Sequence, residues 1–263
     1  MNLLTESALT ADGLSRLLSG RALALRIASY ANAELCQRLA SWLANHDGRR
    51  PYDHEIHEHG TIRYAYYGVD RVGTPFNSVL TAASDSTARQ QYYADALPQI
   101  RQVRAAAAPY LSPIDKLRLE LDEVWPAGAL LARFEEKPMF VGIARIMNAA
   151  TSVSSELYPH VDGLPATIFP LVEQLAANIY LEVPPTGAEL EIWAQFGWID
   201  GRSHVPVGRP DVPPTLVVRP AVGDLVIFNA RRLHAIHRFD TGVRTTLQGF
   251  IGYAGDGPLL LWD

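Results

Sequence analysis

Two histidines and one aspartate stand at spacings that suit a metal site. His160 and Asp162 lie two residues apart at the end of a predicted strand, where residues i and i+2 point to the same face. A second buried strand, 223–229, is followed by His234. Two imidazoles and one carboxylate can hold iron(II) on one face and leave three coordination positions open. The spacing therefore predicts that His160, Asp162 and His234 are the metal ligands and the catalytic residues.

Ten residues after His234, Arg244 lies at the start of another predicted strand, 243–253. A guanidinium is a planar fork that matches a carboxylate, so Arg244 suits the binding of a small organic acid. Thr246 follows two residues later on the same face and can add its hydroxyl. The alternative is that Arg244 is an ordinary surface residue of a strand.

The second histidine ligand has a rival, because His237 lies three residues after His234. We favour His234, which directly follows the strand and its turn. His237 is then interpreted as a strand-edge or surface histidine. His204 is expected to be solvated, with contact to a substrate as the minor alternative. His46 closes a predicted helix, where a cation suits the helix dipole.

The densest histidine cluster is Asp53–His59, which carries His54, His57 and His59. It resembles the zinc-protease pattern H-E-x-x-H, but His54 and His57 are three residues apart where that helical motif needs four. We interpret the cluster as a solvated loop. A lid near a substrate and a second metal site are the alternatives.

Composition excludes several classes of protein. The 263 residues carry a net charge of −5 without a basic run, so a nucleic-acid partner is not expected. One cysteine, Cys36, excludes an internal disulfide and a cysteine-based zinc cluster. Neither an apolar stretch long enough to span a membrane nor a signal peptide is evident. We expect a soluble cytoplasmic protein whose partner is a small-molecule substrate. Its oligomeric state is open, a homodimer being one option.

A single domain is predicted, with residues 1–128 forming a mostly helical support region. Residues 22–27 and 61–68 have strand composition, whereas Asn32 begins a helix with an apolar stripe of leucines. A second helix, 86–108, is expected to bend or break at Pro98. A third helix begins at Ser112, the predicted cap, followed by a proline.

From about residue 129 the sequence consists of short runs typical of β-strands. Residues 129–253 are predicted to form the catalytic core. Short strands separated by turn signals favour an antiparallel sandwich or jelly roll. The predicted strands are 129–134, 140–147, 155–161, 175–183, 188–193, 214–219, 223–229 and 243–253. Residues 194–213 are interpreted as a long loop over one end, and 254–263 as a C-terminal tail.

The order H-x-D, Gly-Asp strand, His and Arg resembles that of the iron(II)/2-oxoglutarate-dependent oxygenases over about residues 129–253. The resemblance implies an α+β, mainly β fold whose core is a double-stranded β-helix (a jelly roll, cupin-like), with the helical N-terminal half packed on it. It also implies that iron(II), 2-oxoglutarate and O2 take part. Arg244 and Thr246 would bind the far carboxylate of 2-oxoglutarate.

Within that family the chain is most similar to the bacterial branch of free-amino-acid hydroxylases and chlorinases. The motifs that carry this similarity are Ser112–Leu117, Pro138–Gly142, Pro159–Asp162 and Phe228–Ala235. Halogenases of this branch have a small residue where Asp162 stands, which leaves a position for chloride. The carboxylate of Asp162 therefore favours hydroxylation over chlorination.

The substrate pocket is harder to read from the sequence. Arg145 lies in an otherwise apolar strand leading to His160 and is the best candidate for binding a substrate, with Trp262 as a second. Arg71 and Trp198 are weaker candidates. The leading hypothesis is hydroxylation of a small polar molecule, such as a free amino acid or a biosynthetic intermediate. Desaturation or cyclisation by the same iron chemistry, and a catalytically silent β-helix that only binds, are the alternatives.

Overall fold

Strands dominate the part of the chain that the computed structural model describes, namely residues 2–58, 61–80, 82–149, 159–164, 169–199, 202–204 and 208–263. Its α-helices are α1 (Ala11–Leu18), α2 (Ala33–Ala44), α3 (Thr87–Ala107) and α4 (Pro113–Val124). Its first eight strands are β1 (Asn2–Glu6), β2 (Ala22–Ile27), β3 (Arg50–Glu58), β4 (Thr61–Val72), β5 (Ala129–Leu131), β6 (Arg133–Phe134), β7 (Lys137–Pro138) and β8 (Ile143–Asn148). The others are β9 (Glu173–Glu182), β10 (Leu190–Ile199), β11 (Arg202–His204), β12 (Leu216–Val218), β13 (Leu225–Asn229), β14 (Arg232–Ile236), β15 (Val243–Tyr253) and β16 (Leu259–Trp262).

Helix α2 begins as its sequence predicts. The side-chain oxygen of Asn32 accepts a hydrogen bond from the backbone N–H of Glu34 at 2.8 Å, which satisfies one of the free donors at the helix start. Leu35, Leu39 and Leu43 recur every four residues and are buried together. The stripe therefore packs α2 against the sheet below it.

The other two predicted helices are present with differences. Helix α3 runs as one element across Pro98, so the proline does not divide it. Ser112 occupies the cap position of α4, but its side chain makes no capping hydrogen bond. Pro113 occupies the first turn, where its missing N–H costs nothing.

Ten strands form a large mixed sheet, called the main sheet below, in which a path of eight runs β1-β2-β13-β9-β15-β8-β4-β3. Strand β16 pairs with β15 and with β5. The β1–β2 and β16–β5 pairs are parallel, and the other pairs are antiparallel. The long central strand β15 therefore contacts β9 along one edge and β8 and β16 along the other.

Four further strands form the minor sheet, in which β10 pairs with β11, β12 and β14. Residues of both sheets, such as Tyr180 and Phe228 from the main sheet and Ile192 and Ile236 from the minor sheet, share one apolar cluster. A second cluster lies on the opposite side of the main sheet, where α1, α2 and α4 cover it. The main sheet is thus packed on both faces, with the minor sheet on one and helices on the other.

The mostly helical N-terminal half is not confirmed, because β1, β2, β3 and β4 all join the main sheet. The expected loop at 53–59 is also wrong for the residues that the structure describes. Strand β3 extends to Glu58 and pairs with β4, with His54 opposite Ala65. The polar sequence had favoured a loop, whereas the backbone forms the end strand of the main sheet.

Towards the C-terminus the structure adds strands where loops were expected. Strand β10 continues to Ile199, and β11 follows within the expected loop 194–213. Strand β16 lies in the expected tail 254–263. The predicted strand 155–161 falls mostly outside the described residues.

Among the described residues, the helices are all too short or too polar to cross a membrane.

Candidate active site

The minor sheet brings the first and last members of the predicted triad together. His160 and His234 form an isolated β-bridge, in which each backbone N–H donates to the carbonyl oxygen of the other at 2.9 Å. Their imidazole rings lie 4.5 Å apart between centroids. The two histidines therefore face the same space, although they come from distant parts of the chain.

Asp162 completes a cluster with these two histidines. One possible ligand atom from each of His160, Asp162 and His234 lies within 4.8 Å of the others. Oδ2 of Asp162 lies 3.5 Å from Nε2 of His234. The arrangement satisfies the condition that the spacing of the motif predicts, namely three donor atoms around one point.

The tautomer of His234 is set by its backbone. Nδ1 of His234 lies 2.8 Å from the carbonyl oxygen of Arg232, which can only accept a hydrogen bond. Nδ1 must therefore carry the proton and donate it, which leaves a lone pair on Nε2 in the neutral ring. Nε2 is the atom that faces Asp162, so it is free to bind a metal.

The electrostatics of the cluster favour the ionised carboxylate. Burial by itself raises the pKa of Asp162. This is outweighed by the neighbouring side chains of His234, His160 and Arg145, which together hold the pKa well below its usual range. A carboxylate that stays ionised at all ordinary pH values is a suitable ligand for a divalent cation.

The segment that carries Asp162 is fixed by its backbone. The N–H of Asp162 donates to the carbonyl oxygen of Ala230 at 2.8 Å, next to the start of β14. Two residues later, the N–H of Leu164 donates to Oε1 of the buried Gln174 at 3.0 Å. Both sheets therefore hold this segment, Ala230 beside the minor sheet and Gln174 from the main sheet.

Arg244 lies on β15 and faces the space between the two sheets. Its side chain is buried, and its nearest polar partner is the hydroxyl of Tyr180 at 3.5 Å, with the sulfur of Met147 at 3.6 Å. No carboxylate among the described residues forms an ion pair with it. A buried guanidinium without a counter-charge is costly, so the site is built to receive an anion.

Thr246 is fully buried and lies two residues after Arg244 on the same strand. Its hydroxyl oxygen and Nε of Arg244 have no hydrogen-bond partner within the described part of the chain. Buried polar atoms are nearly always paired in folded proteins. Two unpaired groups of this kind, next to Tyr180, fit a carboxylate of a bound organic acid.

These observations fit the cofactor set that the resemblance implies. The cluster of His160, Asp162 and His234 offers nitrogen and oxygen donors suited to iron(II). Arg244 and Thr246 offer charge and a hydroxyl to the far carboxylate of 2-oxoglutarate. The residues present therefore suit the set of Fe(II), 2-oxoglutarate and O2.

Arg145, the best substrate candidate, lies on β8 and is buried on the same face of the main sheet. Its guanidinium carbon stands 4.9 Å from the centroid of the Tyr52 ring. Its charge also acts on Asp263, whose pKa burial raises to about 7 while Arg145 opposes that rise. The charge of Arg145 therefore lowers the pKa of two carboxyl groups, those of Asp162 and Asp263.

The structure places Trp262, the second substrate candidate, in an aromatic stack with Phe169 and Phe250. Its side chain is 1% exposed, and its indole Nε1 has no hydrogen-bond partner in the described residues. A role for Trp262 in substrate binding stays a prediction.

His237 lies outside the cluster. Its Nδ1 lies 3.1 Å from Oε1 of Glu191, and its side chain is about half exposed. His204 lies on β11, and His46 packs edge-on against Trp42. The preference for His234 over His237 therefore agrees with the geometry of the site.

Sequence reasoning missed Tyr180 and Gln174. Both lie on β9, an apolar run in which a tyrosine or glutamine gives no motif of its own. A usable signal was the alternation of the strand, because Gln174, Asn178 and Tyr180 share a face. Polar residues that repeat on one face of an apolar strand indicate that this face lines an internal binding site.

Comparison with known proteins gives two curated relatives, while no family model matches the chain. The L-gamma-glutamyl-L-propargylglycine hydroxylase of Streptantibioticus cattleyicolor is 28% identical over 214 residues, which is 75% of each chain. The leucinostatins biosynthesis cluster protein S of Purpureocillium lilacinum is 26% identical over 220 residues, covering 75% of this chain and 89% of that protein.

Two solved structures give weaker likenesses. The N-substituted L-amino acid dioxygenase of Burkholderia ambifaria, in complex with alpha-KG, is 14% identical, with a TM-score of 0.46 over 82% of this chain and 100% of that chain. A prolyl-4-hydroxylase of Pseudomonas putida is 17% identical, with a TM-score of 0.45 over 94% and 100%. The order of its motifs and its His–Asp–His cluster resemble those of the iron(II)/2-oxoglutarate-dependent oxygenases, and the chain is similar to a curated hydroxylase.

Proposed function

We propose that this enzyme hydroxylates an amino acid or a small amino-acid derivative. The observation that carries the proposal is the His160, Asp162 and His234 cluster beside a buried arginine with no counter-charge among the described residues. Similarity to a hydroxylase of a γ-glutamyl amino acid supports this substrate class. In the overall reaction, C–H becomes C–OH, 2-oxoglutarate becomes succinate and CO2, and the hydroxyl and the succinate each take one atom of O2.

His160, Asp162 and His234 hold the metal in this proposal. Iron(II), once bound with 2-oxoglutarate and O2, supplies the oxidising power for an unactivated C–H bond. The backbone carbonyl of Arg232 keeps the proton on Nδ1 of His234, so Nε2 stays available. The lowered pKa of Asp162 keeps its carboxylate ionised and able to bind without first losing a proton.

Arg244, Thr246 and Tyr180 bind the far carboxylate of 2-oxoglutarate. Arg244 supplies two N–H donors from one planar group, and the two hydroxyls add further donors. The site is enclosed, since Arg244 is 2% exposed and Thr246 is fully buried. Charge-assisted hydrogen bonds are stronger in such surroundings than in water, so a dicarboxylate is preferred over a monocarboxylic oxoacid.

Arg145 is proposed to bind an anionic group of the substrate. Support comes from its burial on the inner face of β8 and from its charge beside Asp162. A carboxylate bound there would lie near the metal cluster, which suits an amino acid. The role of Trp262 remains a prediction from the sequence.

Several wider expectations belong to the same proposal. The two sheets are interpreted as a double-stranded β-helix, and the chain as one catalytic domain, which the strands of both halves in the main sheet support. A cytoplasmic location and the absence of nucleic-acid and membrane partners stay predictions. The oligomeric state is open, with a homodimer one option.

The test is succinate release from 2-oxoglutarate with Fe(II), screened over free amino acids and γ-glutamyl dipeptides. We expect one substrate to stimulate succinate release and to gain one oxygen atom in its mass spectrum. His234→Ala is the matched control and should release none above background. Failure of wild-type enzyme to bind Fe(II) or 2-oxoglutarate would contradict the proposal.

A further inference from the structure

The residue after Asp162 is a glycine with no room for a side chain. A Cβ added to Gly163 would stand 2.9 Å from Cδ2 and 3.0 Å from Cε3 of Trp198. Carbon atoms in contact normally lie about 3.5–4.0 Å apart. The backbone of Gly163 is not in the left-handed region. Glycine is therefore needed here for space, because the indole ring lies directly against the backbone that carries Asp162.

The position of Trp198 is fixed by its own strand. The pairing of β10 with β14 shifts in register between Trp193 and Gly197. A Cβ on Gly197 would stand 2.5 Å from the carbonyl oxygen of Arg231, so a glycine permits this close approach. The N–H of Trp198 then donates to that same carbonyl oxygen at 2.7 Å.

The turn between β13 and β14 binds the backbone of both Asp162 and Trp198. The carbonyl oxygen of Ala230 accepts from the N–H of Asp162, and the next carbonyl, of Arg231, accepts from the N–H of Trp198. The turn is itself closed by a hydrogen bond from the N–H of Arg231 to Oδ1 of Asn229 at 3.0 Å. Because β14 and His234 follow directly, the turn fixes both Asp162 and Trp198 relative to His234.

We propose that Trp198 is a positioning residue of the metal site, whose indole closes over Gly163 and directs the carboxylate of Asp162 towards His234. The inference rests on the proposed metal-binding function and adds a residue outside the proposed metal ligands and the proposed 2-oxoglutarate site. Groups that orient metal ligands are commonly worth about 10–100-fold in affinity.

The test is a cycle of Gly163→Ala, Trp198→Ala and the double variant, read by calorimetric titration with Co²⁺ alone. We expect Gly163→Ala to weaken Co²⁺ binding about 10-fold or more, because the added methyl pushes the Asp162 segment away from the ring. Trp198→Ala should weaken it by a smaller factor, since the segment loses its support. The double variant should bind like Trp198→Ala, because the clash is gone, and this is a non-additive result.

Gly48→Ala is a matched control. Its Cβ would also meet an aromatic ring at close range, His46 Nδ1 at 2.8 Å, in the turn between α2 and β3. Its Co²⁺ affinity should equal that of wild type. Thermal unfolding of each variant without metal checks that the fold is kept.

Three outcomes would overturn the inference. They are wild-type affinity in folded Gly163→Ala, wild-type affinity in Trp198→Ala, and a double variant as weak as Gly163→Ala. If Gly163→Ala does not fold, Trp198→Ala decides alone. Co²⁺ binding that is absent in wild type, or unchanged in His234→Ala, would instead contradict the metal site itself and this inference with it.

Discussion

The two faces of strand β15 are equally buried and serve different purposes. Leu247 and Ile251 face the helices and belong to the apolar cluster that α2 and α4 cover. Arg244, Thr246 and Gln248 face the space between the two sheets. Exposure is 3% or less on both faces, so burial alone does not separate support from chemistry.

The two faces differ in whether their buried atoms have packing or hydrogen-bond partners. Leu247 and Ile251 on the helix-facing side find apolar neighbours, as a close-packed interior requires. On the inner side, Nε of Arg244 and the hydroxyl of Thr246 lack partners among the described residues. Unpaired buried polar atoms, rather than depth, therefore distinguish the face on which we propose that 2-oxoglutarate binds.

The largest effect is expected from removing one of the proposed metal ligands. Asp162→Gly removes a carboxylate ligand and should lower the hydroxylation rate and the Co²⁺ affinity by more than the about 10–100-fold that is typical of losing a group that only orients a ligand. Wild-type enzyme should give no halogenated product in high chloride, because Asp162 fills the position that an anion would need. Mass spectra with and without chloride check this, and a chlorinated wild-type product would show that Asp162 is not a ligand.

Arg244→Leu should weaken 2-oxoglutarate binding by about 2–5 kcal/mol, which is roughly 30-fold or more in Kd. The reason is that the far carboxylate loses its charged partner while remaining enclosed. Co²⁺ affinity should stay close to that of wild type. Titration with 2-oxoglutarate and with Co²⁺ separates the two effects, and Arg244→Lys, which keeps only the charge, should fall between. An unchanged Kd for 2-oxoglutarate would refute the assignment.

Leu247→Ala tests the helix-facing side of the same strand. It should lower the free energy of unfolding by about 2–5 kcal/mol, because a buried methyl-rich side chain is replaced by a cavity. The KM for 2-oxoglutarate should change less than about twofold, since the side chain of Leu247 points to the opposite face of the strand from Arg244 and Thr246 and the inner face keeps its side chains. Urea unfolding and steady-state kinetics give the two values. A large change in KM with an unchanged free energy of unfolding would contradict the claim that the helix-facing side only stabilises the fold.

Thr246→Val is the smallest and sharpest change, because the two side chains have nearly the same shape. The Kd for 2-oxoglutarate should rise by a few fold, corresponding to the loss of one hydrogen bond worth about 1 kcal/mol. The free energy of unfolding without ligand should not fall, since the lost hydroxyl has no partner in the described structure. A lower free energy of unfolding with an unchanged Kd for 2-oxoglutarate would show that Thr246 stabilises the fold and does not bind 2-oxoglutarate.

The sequence predicts the site better than it predicts the sheet around it. Spacing along a strand determines which side chains share a face, so the sequence alone pairs His160 with Asp162 and Arg244 with Thr246. Pairing between distant strands has no such local signal. The parallel contact of β1 with β2 therefore could not be predicted, and Tyr180 looked like an ordinary core residue.

Strand ends were the other source of error. The segment that forms β16 resembles a tail because the residues before it, 254–258, include two glycines and a proline. The short apolar run that follows gives little periodicity. The segment 53–58 resembles a loop because aspartate and glutamate are depleted in strands. In both places tertiary pairing outweighs local composition.

The bridge between His160 and His234 is isolated, so few backbone hydrogen bonds join these distant segments. A metal ion held by both residues and Asp162 would act as a cross-link that closes the chain between positions 160 and 234. Constraints on long segments oppose unfolding mainly by restricting the denatured chain. Binding to the folded state alone also raises the unfolding temperature with ion concentration. Metal supply would then set how long the folded enzyme persists as well as how fast it works.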